Sequence, residues 1–162
     1  MKNVYDKMKK LLRWLNSRAG TEKDLDLACR KMNADIFKIP LKHNGYFVPK
    51  EKSATGKAAI FINSRLPARR QLETGFHELT HLVSHIALNR VLFSSKDTVD
   101  FDAKQEKFWR EKHELEAKAI ASIAMLPAEE LKNATPNLFD EDEETSSSDW
   151  RFRYHLRQTY GY

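Results

Sequence analysis

The chain has 162 residues, of which 41% are apolar, and a formal net charge of +5. That length suits one domain around a single core, and with no run of about 18 or more apolar residues the chain offers no membrane-spanning helix. Its one cysteine, Cys29, excludes a disulfide framework and a thiolate metal site, and is expected to pack as a small buried apolar group.

The N-terminal residues MKNVYDKMKKLLRWLNSRAG mix charge among apolar positions, without the continuous apolar segment and small-residue cleavage site of a signal peptide, so a cytoplasmic location is expected. The charge is unevenly spread. Residues 1–70 carry 17 Lys and Arg against 6 Asp and Glu, whereas residues 71–162 carry 11 against 17. A basic half can steer toward nucleic acid, but a solvated lysine-rich surface explains it more simply.

Val4, Met8, Leu11, Leu12 and Leu15 recur at helical spacing, which predicts an amphipathic helix over 3–18, ended by Gly20. Thr21-x-x-Asp24 has the form of a capping start for a second helix presenting Leu25, Ala28 and Met32 on one face. The period then changes. Phe37, Ile39 and Leu41 alternate, His43-Asn44-Gly45 turns, Tyr46-Phe47-Val48 is apolar, and AAIFIN at 58–63 reads as a buried strand. These pieces predict a small antiparallel sheet of about three strands, and with the helices an α+β fold. Pro67 suits the first turn of a third helix running to about residue 92, and a fourth helix is expected over 102–125, stopped by Pro127. The organisation expected is therefore one domain over 1–162, with N-terminal helices at 1–34, the sheet and main helices at 35–138, an acidic flexible loop at 139–149 and a C-terminal segment at 150–162.

The third helix carries His77-Glu78-Leu79-Thr80-His81, an H-E-x-x-H string. Positions i and i+4 of a helix share a face, so two imidazoles there can converge on one ion at about 2.0–2.1 Å. Glu78 projects from a neighbouring angle, placed to take a proton from water beside the ion rather than to bind the ion itself. A catalytic zinc takes three protein ligands and leaves a fourth position open. His85 lies eight residues beyond His77, about 12 Å along a continuous helix, too far to share an ion. The fourth helix offers Glu106, Glu111, Glu114 and Glu116. Glu114 and Glu116 lie about 200° apart around the axis, so only one of them can face the metal. Ala117 and Ala121 follow Glu114 at i+3 and i+7 and allow close helix approach, whereas Glu116 is flanked by Lys112 and Ile120. Spacing therefore favours Glu114, with Glu116 the fallback.

HELTH, the run AIFINSRLPARRQLETGFHELTH at 59–81 and ELEAKAIASIAMLP at 114–127 together resemble the ImmA/IrrE metallopeptidases over about residues 45–127. The resemblance implies a minimal zincin-like α+β fold and a Zn2+ held by His77, His81 and Glu114, with Glu78 as general base. It further implies a zinc-dependent endopeptidase whose protein substrate is a helix-turn-helix transcriptional repressor; a monomer is expected. Three positions depart from the family pattern. Lys118 stands where Asn or Asp is frequent, Glu73 where an aromatic is common, and Phe76 where a smaller residue precedes the first histidine.

Two rival classes follow from the same residues. A non-catalytic metal-containing module could grip a repressor or toxin without cutting it. Direct nucleic-acid binding would use the basic half and the alternation of Trp150, Phe152 and Tyr154 with Arg151, Arg153 and Arg157, although such alternation usually packs its aromatic face inward. His113, Tyr154 and His155 are oxyanion donors by residue type only.

Overall fold

The computed structural model describes residues 2–15, 17–94 and 103–125, with side chains described at 4–15, 17–84 and 113–125. Its elements are helix α1 (Lys2–Leu11), helix α2 (Glu22–Lys31), strand β1 (Ala34–Ile39), strand β2 (Gly45–Val48), a 3-10 turn at Lys50–Lys52, strand β3 (Ala58–Asn63), helix α3 (Ala68–Ser94) and helix α4 (Ala103–Met125). The expected α+β class is the one observed. Pro127, the 139–149 loop, the 150–162 segment and the side chain of His85 lie outside the described residues.

α1 stops well before the expected residue 18. Beyond Leu11 the chain tightens into turns in which Leu15 N–H donates to Leu12 O and Ser17 N–H to Trp14 O, both at 2.8 Å. The tightening keeps Leu12 and Leu15 buried and sets Trp14 edge-on to Phe76 of α3, with ring centroids 5.5 Å apart.

α2 begins where the capping pattern predicts. Thr21 Oγ1 accepts from the Asp24 N–H, and the Asp24 carboxylate accepts in return from the Thr21 N–H at 2.9 Å, a reciprocal capping box. Asp24 also receives both guanidinium nitrogens of Arg18 at 2.7 and 2.8 Å. The helix ends at Asn33, whose φ of 51° is a left-handed conformation that asparagine tolerates better than most residues, and β1 starts at once.

The sheet has three strands in the order β1-β3-β2. Its pairing corrects the wholly antiparallel reading: β2 runs antiparallel to β3, but β1 runs parallel to it, with Ile36 opposite Ile60 and Phe37 opposite Phe61. The chain passes from β1 over the place β3 will take, descends as β2 on the far side, and returns as the central strand. This centrality explains why AAIFIN reads as an unbroken apolar run. Ile60 and Ile62 face the helices, while on the outer face Phe61 is sandwiched between the rings of Phe37 and Tyr46 at 5.2 and 4.8 Å.

One core joins all the helices. Met8 and Leu12 of the N-terminal region, Leu25 of α2, Ile60 and Ile62 of β3, Phe76, Leu79 and Leu82 of α3, and Ile120 and Ile123 of α4 are buried together, each such side chain contributing about 1.5–3 kcal/mol. Cys29 lies in the same core, and burial pushes its thiol up to about 12, so it stays protonated and unreactive. Asn63, at the end of β3, ties down the approach to β2. Its side chain donates to Leu41 O at 3.1 Å and accepts from the N–H groups of Leu41 and Arg65, while its own N–H donates to Asn44 O at 2.8 Å.

The capping box carries a pH signature. The Arg18 hydrogen bond, outweighing partial burial and aided by Thr21, holds the Asp24 carboxyl at about 2, below the usual value of about 3.9. The stability it contributes is therefore complete above about pH 4 and is lost as the pH falls through about 2. Urea unfolding followed across that range should show a decline that Asp24→Asn flattens. Thr21→Ala should cost about 1 kcal/mol at neutral pH.

Candidate metal centre

α3 displays two faces at once. Phe76, Leu79, Leu82 and Val83 face the core, and Thr80 is buried among them with its hydroxyl donating to Phe76 O at 2.8 Å. Thr74, His77, Glu78 and His81 line a cleft of about 740 Å3. The opposite wall is α4, which contributes Glu114, Lys118, Ala121 and Ser122, and the upper lip is β2 with Asn44 before it.

His77 and His81, one turn apart, place their Nε2 atoms 3.0 Å from each other with the rings nearly perpendicular, at 83°. Glu114 reaches across from α4, its Oε2 3.1 Å from His81 Nε2 and its Oε1 3.5 Å from His77 Nε2. These three donors lie within 4.8 Å of one another. Ligands at 2.0–2.1 Å around a tetrahedral ion stand about 3.3–3.4 Å apart, close to the distances that separate the two Nε2 atoms from each other and each of them from one oxygen of Glu114. Two imidazole nitrogens and one carboxylate are also a donor set that suits zinc. The residues present therefore fit a divalent metal ion.

Glu114 and Glu116 face different surroundings. Glu114 faces both histidines, whereas Glu116, on the other side of α4, is buried and meets His113 Nδ1 at 3.2 Å. His113 thus turns toward Glu116 and does not line the cleft. Tyr154 and His155 lie outside the described residues. Ala117 and Ala121, one and two turns beyond Glu114, are buried, which fits a helix pressed close against its neighbour.

The two carboxylates of the cleft are driven in opposite directions. Hydrogen bonds from His77 and His81 hold Glu114 well below the usual carboxylate range, more than offsetting its partial burial. Glu78 is buried, and that desolvation, with a smaller push from Glu114 and against a pull from His81, raises it to about 7. A carboxylate poised near neutrality can both accept and return a proton.

Two features of the site, at Phe47 and Gly45, escaped the sequence, and Lys118, noted there only as a departure from the family pattern, acquires a partner. Phe47 of β2 lies parallel to the His81 ring at 6.2 Å and walls it in. Lys118 Nζ sits 3.4 Å from Glu114 Oε1. Gly45 lets β2 descend onto the metal-site helix: a Cβ there would meet Thr74 Cγ2 at 2.6 Å, the Phe61 carbonyl oxygen at 2.7 Å and Glu78 Cγ at 3.5 Å. The helical period would have found part of this, since Thr74 and Arg70 precede His77 by three and seven residues and Lys118 follows Glu114 by four. The strand lip carried no such period.

A family model described as the IrrE N-terminal-like domain, of peptidase M78, matches residues 29–161. Neither the curated proteins nor the solved structures yield a match to the chain.

The Gly45 contact can be tested on its own. Gly45→Ala must push β2 off Thr74 and Glu78, and should cost about 1–3 kcal/mol in urea unfolding. A loss under about 0.5 kcal/mol would mean that the strand does not bear on the helix.

Proposed function

The chain belongs to the M78 metallopeptidase family, and from that premise we propose that it is a zinc-dependent endopeptidase whose zinc ligands are His77, His81 and Glu114. The observation that carries the reading is the convergence of these three donors beside a buried glutamate, in a cleft bordered by an edge strand. A divalent ion held there would polarise a carbonyl group and lower the pKa of a water molecule.

The protein's own groups then have separable tasks. Glu78 accepts the proton of the attacking water at its carboxylate and delivers it to the leaving amine, a role its position and raised pKa both serve. Phe47 and the burial of α3 restrict the orientations open to His81. Among the described residues β2 is an edge of the sheet, and an extended peptide aligned along it would lie across the cleft. α1 and α2 pack into the core that supports α3 and α4, which favours the chain working as one metallopeptidase domain. Within the cytoplasm a helix-turn-helix repressor is the substrate class that the resemblance of HELTH and ELEAKAIASIAMLP implies, and a single copy holds the whole candidate site.

Glu78→Gln should retain about one equivalent of zinc and lose about 10²–10⁴ in cleavage rate. Glu114→Ala should lose zinc, and Glu116→Ala should keep it. Elemental analysis paired with cleavage of a repressor encoded beside the protein reads all three variants. Normal cleavage by Glu78→Gln would refute the peptidase mechanism, and tight repressor binding without cutting by the unsubstituted protein would favour a metal-containing binding module instead.

A further inference from the structure

Lys118 is where this chain leaves the pattern it resembles, and the structure places its ammonium inside the cleft. It stands one turn beyond Glu114 on α4, half exposed, with Nζ 3.4 Å from Glu114 Oε1. An asparagine or aspartate at this position could accept a hydrogen bond from a neighbouring imidazole; an ammonium can only donate. The substitution therefore converts an acceptor near the ligands into a cation at the substrate's side of the site.

The surrounding charges decide what that cation needs. The other cation lining the cleft, Arg70, is already engaged by Glu73 at 2.7 Å. Lys118 meets Glu114, and that same carboxylate would hold a metal ion, which draws its negative charge away from the ammonium. With a divalent ion bound to two neutral imidazoles and Glu114, and with Glu78 ionised, the ion and these side chains together with Lys118 carry a net charge of about +1. Beside Lys118 the cleft extends over Thr74, Ala121 and Ser122, small side chains that leave room and bring no charge.

Resting on the peptidase reading above, we propose that Lys118 is a specificity-determining residue that recognises an acidic side chain of the peptide substrate, an Asp or Glu seated in the part of the cleft bounded by Thr74, Ala121 and Ser122. A carboxylate shared with a divalent ion neutralises Lys118 only in part, and the acidic side chain supplies the rest. The ion pair is part-exposed, so its discrimination is modest: about fivefold for Asp over Asn, equivalent to about 1 kcal/mol.

The test uses the full chain loaded with zinc. Cleavage of a mixture-based peptide library first identifies the position at which acid is preferred. A labelled peptide with Asp at that position and its Asn counterpart are then titrated by fluorescence anisotropy into the inactive Glu78→Gln protein, alone and combined with changes at Lys118. The Asp peptide should bind about fivefold more tightly when Lys118 is present. The ratio should fall to about one in Lys118→Asn, survive in Lys118→Arg, and invert in Lys118→Glu. A wild-type protein that cleaves no library member defeats the peptidase reading itself. Cleavage without a preference for acid, a preference that persists in Lys118→Asn, or a uniform loss of rate on all peptides without change in their ranking each overturns the role of Lys118 while leaving the peptidase reading intact.

Discussion

The separation of α3 and α4 at the level of Glu114 is the constraint on which the rest of this molecule depends. Two donor nitrogens come from one helix at no cost in topology, because i and i+4 already share a face. The third donor must cross a gap between helices, and packed helix axes stand about 8–10 Å apart. Glu114 closes that gap to 3.1 and 3.5 Å, with buried alanines following it at one and two turns. The core beneath is arranged to hold this spacing. Phe76, Leu79 and Leu82 fix α3 from below, Ile120 and Ile123 fix α4, and the Gly20 N–H donates to Ala124 O at 2.7 Å near the end of α4, satisfying a carbonyl that the helix itself leaves open.

That spacing also produces the electrostatic contrast within the cleft. Glu114 is drawn toward two imidazoles and remains ionised. Glu78, one residue from His77, is buried without such support and is raised instead. One carboxylate suited to a cation and another suited to proton transfer thus arise from environment alone, since the two side chains are chemically identical. A shift of about an ångström between the helices would weaken the first without relieving the second, so the cleft is more sensitive to core packing than its exposure suggests. β2 adds the same kind of dependence from above. Asn63 anchors the loop that leads into it, and Gly45 lets it settle against Thr74 and Glu78.

Much of this was legible in the sequence where one helix or one capping box contains the whole signal. The α2 start at Thr21 and Asp24, the HELTH face of α3 and the alanine positions beyond Glu114 are all short-range periodic patterns, and the structure brings His77, His81 and Glu114 together as the spacing of those positions implies. The direction of β1 was not legible, because alternation along a strand determines which side chains point inward but says nothing about the direction of its neighbour. The early end of α1 was hidden for a related reason. Leu12 and Leu15 fit a helical period equally well whether the backbone continues as helix or tightens into turns, and the choice is made by Phe76, more than sixty residues away. Gly45 and Phe47 act through contacts with α3 that no local period records.

The rotation of α4 is the remaining requirement, since a helix at the right distance but turned by a third of a revolution would present no ligand. Its apolar positions alone do not settle this. Ala117, Ala119, Ile120, Ala121, Ile123 and Ala124 are all buried, so α4 is apolar over much of its circumference and could bury nearly as much surface in a neighbouring rotation. The polar residues break the tie. Glu116 is buried with a hydrogen-bond contact to His113, and burial, which by itself raises a carboxyl, is outweighed there by that contact and by further positive charge, so that Glu116 lies below the usual range. Turning α4 would carry His113 along with Glu116, since both lie on that helix, but it would move Glu114 and Lys118 toward the core and away from the cleft, a penalty of several kcal/mol for an uncompensated charge. Glu116 and Glu114 point to opposite sides of one helix, so the rotation that buries the first is the one that turns the second toward His77 and His81.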